Sequence, residues 1–379
     1  MRFLLGYTSI DSLNHFIDEI DLELKRLGHQ TYIADFCNVN NRQLSEFCSN
    51  PVDGAILLDM AVLDRDYYDM RNIPVVNILV DHPMTFTEVM LHPPKRYIQF
   101  STDENHVSYS KRFYHIQHSY FLPHIGTIPP TTGGQPLEKR KHQILFPGSY
   151  VPYNTFYQKI KSAQISDEIK MLYMETLEQM LDCPENTLEY AFEKCLKDRN
   201  IELNDEIVAQ ILANGKDLDW FVRMYYRYKT VSQIVREGYP LRVVGSGWEQ
   251  TNIEEFPNAE ILSPRNFSEI FPLMEDARIT LNVMPWFKAG SHDRIFDSLL
   301  RGSCPLTDES SWLIKNFVPE KDTVYYTLDK LEKLPDIIEN LLYDDERLYS
   351  VIQNGCKKVL QNYTRIQIVS TILEYLKKV

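Results

Sequence analysis

The stretch NVMPWFKAGSHDRIFDSLLRGSCPLTD, residues 282–308, decides how the rest of the chain is read. An apolar run at 279–283 leads into it and predicts a buried strand. Proline and glycine at 285–290 then break the pattern into a loop. From about Ser291 the period turns helical. Ile295, Phe296, Leu299 and Leu300 fall on one face, and Gly302 supplies the stop. The run at 304–307 starts another short strand. A helix that begins directly after a strand and a loop offers free N–H groups and a positive dipole end, which suits a phosphate. Its first turn carries Ser291, His292, Asp293 and Arg294, and Arg294 adds a forked donor for phosphate oxygens. Asp297 lies one turn in, where a carboxylate can accept from two ribose hydroxyls. An ordinary crossover with a solvated first turn has the same spacing, so both readings stand at this point.

Outward from that stretch the chain reads as α/β. Residues 2–5 are apolar and end in Gly6. Residues 11–27 are helical by period, Gly28 stops them, and 31–34 is a strand, which together make the start of a doubly wound sheet. Gly6 serves the turn or lets a ligand approach a strand end. Residues 53–58 and 74–80 are further strands, the latter β-branched and ending in Asp81-His82-Pro83. At the carboxyl end of a central strand His82 can shuttle a proton and Asp81 can act as a base or orient it; as the bland alternative, Asp81 caps a turn and His82 packs. His115, His118 and His124 have poor metal spacing and read as strand and loop residues. No metal site is predicted.

Residues 127–141, TIPPTTGGQPLEKRK, read as a linker and domain boundary. A strand restarts at 143–147. Residues 155–238 are charged, helix-favouring and poor in glycine, and predict an inserted set of helices over 155–181, 185–198, 204–213 and 217–237. The next strand, 241–244, runs into Gly245-Ser246-Gly247-Trp248, and the strand at 259–262 ends at Leu262-Ser263. Residues 321–327 give a last strand, and helices at 328–342 and 346–361 precede a closing helix to residue 379.

At 379 residues the chain is long for one domain and comfortable for two. A net charge of −13 argues against nucleic acid as a partner. The N-terminus is a first strand rather than a signal peptide, and no run approaches the ~20 apolar residues of a membrane span. Six scattered cysteines predict reduced thiols in a cytoplasmic protein.

The stretch LN…P…G…HDRIFDSLLRGSCPLTD resembles the nucleotide-sugar-binding segment of glycosyltransferases of the GT-B architecture, and the CgeB-like group most closely. The order of loop, Arg294, Asp297, Gly302 and strand carries the resemblance. It implies two Rossmann-like domains facing a cleft: residues 1–130 on the acceptor side, 140–362 on the donor side with the insertion at 155–238, and 363–379 returning to brace the first domain. It implies a sugar nucleotide donor, a UDP-sugar by default, no further cofactor, and a glycan, protein or small-molecule acceptor. Arg294 and the 291–294 helix start would hold the diphosphate. Gly245, Gly247 and Trp248 resemble the family's diphosphate loop, and Leu262 and Ser263 would lie near the base. Asp297 would hold the ribose, while Asp81 and His82 would face the sugar. The larger retaining families of this fold carry two glutamates; Asp297 stands at the second, and Ala289 stands where the first would be. A sugar-nucleotide epimerase of the same architecture, or a non-catalytic scaffold, are the alternatives.

Overall fold

In the computed structural model, residues 1–38, 41–61 and 63–378 are described. Residue 379, where the closing helix was expected to end, lies outside them. The chain divides into two compact units, one of Met1–Thr127, Asn266–Ser268 and Asn362–Val379, the other of Ile128–Arg265 and Glu269–Gln361.

The first unit is a six-stranded sheet in the order β2-β1-β3-β4-β5-β6. Its strands are β1 (Arg2–Tyr7), β2 (Gln30–Asp35), β3 (Gly54–Leu58), β4 (Val75–Leu79), β5 (Tyr97–Ser101) and β6 (Ser119–Phe121). Every pairing is parallel, so the central strands are buried on both faces and read as continuous apolar runs. The helix Asp11–Arg26 puts Leu13, Ile17, Ile20 and Leu24 into the core, where the closing helix Arg365–Leu376 adds Ile368, Val369, Ile372 and Leu376. Arg365 fixes the pairing of these helices through Glu19 at 2.9 Å, and Thr364 with Gln367 forms a capping box that starts the closing helix.

The second unit is also a parallel six-stranded sheet, in the order β12-β11-β10-β7-β8-β9. Its strands are β7 (His142–Pro147), β8 (Leu241–Val244), β9 (Ala259–Leu262), β10 (Ala277–Asn282), β11 (Cys304–Asp308) and β12 (Val324–Tyr326). The chain steps from β7 to β8 and β9 on one side, then returns to β10 on the other. The order therefore reverses between β7 and β10, and open α/β sheets bind ligands in the crevice beyond the carboxyl ends of such strands.

The insertion differs in detail from its sequence reading. The single helix expected over 155–181 is two helices, Tyr153–Ser162 and Asp167–Asp182. Ala163 leaves the helical region, and the Ser166 side chain caps a new start by accepting from the Ile169 N–H at 3.3 Å. Leu188–Asp198, Asp205–Asn214 and Lys216–Arg236 follow, the first two capped by Thr187 and Asn204.

The expected linker is also corrected in part, because residues 128–141 are fastened to the second unit. Gly133 N–H donates to the Leu300 carbonyl at 3.0 Å. The buried Arg140 donates to the Ala277, Gln135 and Gly133 carbonyls, at 2.6, 2.9 and 3.1 Å. A Cβ at Gly302 would stand 2.0 Å from the Gly133 oxygen. Proline and glycine here serve close packing rather than slack.

Candidate functional site

The loop after β10 leads into the helix Asp293–Leu300, which starts two residues later than the sequence period suggested. Ser291 and His292 precede the helix. His292 is its cap: Nδ1 accepts from the Arg294 N–H at 3.2 Å, and the His292 carbonyl accepts from the Ile295 N–H at 3.1 Å. Part of the donor set expected to face an anion is thus used internally. The Asp293 carboxylate lies against the same Nδ1, a contact that becomes an ion pair only when the imidazole is protonated. Burial pushes the His292 pKa down, the Asp293 carboxylate pulls it up, and the Arg294 and Arg227 cations lower it again. The Ser291 hydroxyl is 0% exposed and makes no hydrogen bond among the described residues.

Arg294 is held where the strand ends. Its Nη1 donates to Asn282 Oδ1 at 2.6 Å, and Asn282 Nδ2 donates to Thr307 Oγ1 at 2.9 Å. The Tyr326 hydroxyl adds a 2.8 Å bond to the Asn282 carbonyl. The guanidinium lies 5.6 Å from the Phe146 ring centre, at the end of β7. Arg227, from the helix Lys216–Arg236, lies 5.9 Å from the same ring and donates to the Ser149 carbonyl at 2.5 Å. Two guanidiniums therefore converge at the sheet's reversal point. Burial lowers both pKa values; that of Arg227 is pushed down to about 9, with Arg294 and then Arg223 as further causes. Arg227 lies inside the helix the sequence predicts over 217–237 and carries no local signal of a site. Its place beside Arg294 depends on strand order, which no local pattern carries.

The loop itself is anchored from β11 onward. The buried Asp308 accepts from the Met284 N–H at 2.7 Å. Ser310 Oγ donates to the Gly290 carbonyl at 2.5 Å, and Ser311 N–H to the Lys288 carbonyl at 2.9 Å. Burial raises the Asp308 pKa to about 7, against the pull of the Met284 N–H and of Lys288.

Several expected site residues have other roles in the structure. Trp248 is 0% exposed; its Nε1–H donates to the Gly148 carbonyl at 2.7 Å and its ring stacks on Tyr150 at 5.0 Å, so it braces the loop from beneath and does not face a ligand. Gly245 and Gly247 have positive φ, and an added Cβ would meet Gly148 at 2.7 Å and the Tyr150 oxygen at 1.8 Å. The close approach they permit is that of the 148–150 backbone. Asp297 is 1% exposed and paired with Arg301 one turn on at 3.0 Å, a buried helical ion pair rather than an open ribose acceptor. Leu262 is half-buried against a small cluster with Leu145, Val244 and Met274, and Ser263 is exposed beyond it.

In the first unit, His82 is 6% exposed. Its Nδ1 accepts from the Met84 N–H at 3.1 Å, and its ring stands edge-on to His106 and Tyr109, each at 4.6 Å. It caps the short turn Pro83–Phe86 and packs against both rings. Asp81 is half-buried in the bend after β4. His118 is exposed and meets the Tyr120 hydroxyl at 3.1 Å, and all six cysteines are free. Among the described residues no group of three or more His, Cys, Asp or Glu is placed to hold a metal, and no helix is long and apolar enough to cross a membrane.

A family model described as "Glycosyl transferase-like" matches residues 227–374, a span that opens on Arg227 and contains Arg294. Residues 227–374 are thus similar to a glycosyl transferase-like family, and the two parallel sheets form a GT-B fold. Sucrose-phosphate synthase from Thermosynechococcus elongatus is similar over 100% of this chain and 98% of its own, with a TM-score of 0.59 at 9% identity. The Anabaena Alr3699/HepE protein in complex with UDP-glucose is similar over 100% of both chains, with a TM-score of 0.57 at 12% identity. WaaG, a glycosyltransferase involved in lipopolysaccharide biosynthesis, is similar over 99% of both, with a TM-score of 0.54 at 11% identity. No curated protein matches the sequence. At such identities the likeness speaks for the fold, and the glycosyl transferase-like domain is where the arginine pair lies.

Proposed function

We propose that the chain transfers a sugar from a nucleoside-diphosphate donor, a UDP-sugar, to a glycan, protein or small-molecule acceptor. The observation that carries this reading is the pair Arg227 and Arg294, converging over Phe146 at the reversal point of the second sheet. A diphosphate supplies an anionic partner to two guanidiniums whose hydrogen-bond acceptors are a neutral carbonyl and a neutral amide oxygen. As the bond to the sugar breaks, charge grows on the departing diphosphate. Fixed guanidiniums stabilise that charge more than the ground state, which lowers the barrier. They can do so without a metal, and metal independence is part of the proposal. Ser291 offers a further donor beside the helix start.

The HepE structure with UDP-glucose supports the choice of donor class. Asp81 stays the candidate base of the first unit. Kinship with the CgeB-like group and a cytoplasmic location, for which the free thiols speak, complete the reading. A thermal-shift panel of nucleotide sugars tests it, because a ligand that binds only the folded state raises its melting temperature. Stabilisation by UDP and a UDP-sugar is expected. No stabilisation by any nucleotide, or UDP release that needs no acceptor or water, refutes the transferase.

A further inference from the structure

We propose that Trp286, clamped by Arg223, is the surface on which the ring of the transferred hexose rests; this builds on the donor reading above. Trp286 stands half-buried in the loop after β10 between the buried Pro285 and Phe287. The Arg223 guanidinium lies 4.5 Å from the indole centre. Arg223 is itself buried and ion-paired with Asp219 at 2.6 Å, one turn back on the helix Lys216–Arg236. One turn forward, Arg227 lies 5.8 Å from the same indole, and His292 meets it edge-on at 5.8 Å. The indole therefore adjoins the guanidinium pair that takes the diphosphate, and the next group along a sugar nucleotide is the sugar.

The chemistry fits that neighbour. A pyranose presents a face of C–H bonds, and an aromatic face is broad, apolar and negative, so the two pack well. A guanidinium against the ring fixes its rotamer through a cation–π contact, so little side-chain entropy is left to lose on binding. The loop is fastened on two further sides. Lys288 Nζ donates to the Pro184 carbonyl in the insertion. On the other side Ser310 and Ser311 bond the Gly290 and Lys288 carbonyls. Ala289, where the family resemblance puts a sugar-gripping carboxylate, is buried and has only a methyl group. The ring contact takes the place of that carboxylate, and the inserted helices acquire a role as the wall that aims Trp286.

Isothermal calorimetry of the full chain with UDP-glucose and with UDP tests this. Trp286→Ala is expected to weaken UDP-glucose roughly tenfold while UDP binding stays within about twofold. Trp286→Phe restores most of the loss. Trp286→Leu keeps apolar bulk without a ring, shows the same selective loss, and serves if the alanine variant fails to fold. Arg223→Met leaves the indole in place but unclamped, and is expected to weaken UDP-glucose alone, with partial recovery in Arg223→Lys. Equal weakening of UDP and UDP-glucose would assign the indole to the nucleotide and overturn the proposal. Unchanged binding in every variant would also overturn it, with the donor reading intact. Binding of neither ligand by the unmodified chain would remove the donor reading itself.

Discussion

Arg227→Met removes a cation from a place that already holds an excess of them. The Arg227 pKa is pushed from 12.5 to about 9, by burial first and then by Arg294 and Arg223. Taken whole, that displacement is a penalty of about 5 kcal/mol on the charged form. Solvent around a half-exposed side chain reduces it to about 1–2 kcal/mol. Methionine also forfeits the bond to the Ser149 carbonyl, worth about 1 kcal/mol net. The two effects nearly cancel, so the free variant should melt close to the unmodified chain. Nucleotide binding is another matter. A charge-assisted bond to phosphate contributes about 1.5–3 kcal/mol, so UDP affinity should fall roughly 10- to 100-fold. Melting curves with and without UDP separate the two: an unchanged curve alone, and a UDP-induced rise that vanishes. A variant that melts far below the parent yet keeps the full UDP response would show that Arg227 is structural, and the reasoning would fail.

Arg294→Ala should weaken UDP at least as much and also destabilise the fold by about 1–3 kcal/mol, because the buried Asn282 Oδ1 loses its donor; calorimetry and melting curves read the two losses separately. Asp308 has its folded-state pKa raised to about 7, so its contribution to stability is present below about pH 4, where the unfolded carboxyl is also protonated, and is lost as pH rises through about 7. Asp308→Asn, which still accepts from Met284 N–H, should flatten the fall in unfolding free energy between those values, measured by denaturant titration across pH. His82→Ala should lower stability by about 1 kcal/mol through the lost cap and leave UDP affinity unchanged; selective loss of turnover would return His82 to the chemistry. A chelator at saturating concentration should leave turnover within about twofold of the untreated enzyme, and a loss restored by added divalent cation would refute metal independence.

Much of the fold was legible because its signals are local. Parallel strands such as Val75–Leu79 are buried on both faces and announce themselves as short runs rich in β-branched residues, here broken only by Asn77. Helix starts were less legible: Ser166 reads as one more polar residue in a helical stretch until its hydroxyl is seen to cap. The place of Arg294, directly after a strand and loop, was legible because chain direction alone sets it. Legibility ended where two partners produce the same pattern. Gly245-Ser246-Gly247 has one spacing whether the backbone that comes close is a phosphate's neighbour or the 148–150 loop, and the structure shows the loop. Asp297 has the same spacing from the helix start whether it is open or paired, and the structure buries it with Arg301, four residues on.

The arginines of the second unit sort themselves by partner, and the sorting supports the proposed donor. Arg301 pairs with Asp297, and Arg223 with Asp219, so each buried cation is neutralised by a carboxylate one turn away. Arg140 answers backbone carbonyls alone and is the brace of the 128–141 segment. Arg227 and Arg294 differ: among the described residues neither makes an ion pair, and their acceptors are the neutral Ser149 carbonyl and Asn282 amide oxygen. Against the burial that lowers the Arg294 pKa, Asp293, Asp308 and Asp297 act through space and raise it, although none forms an ion pair with Arg294 among the described residues. Arg227 has no such help: burial, Arg294 and Arg223 all lower its pKa. A second guanidinium held beside the first at the point where the sheet order reverses costs stability in the free protein, and that cost is what supports the proposed anionic donor.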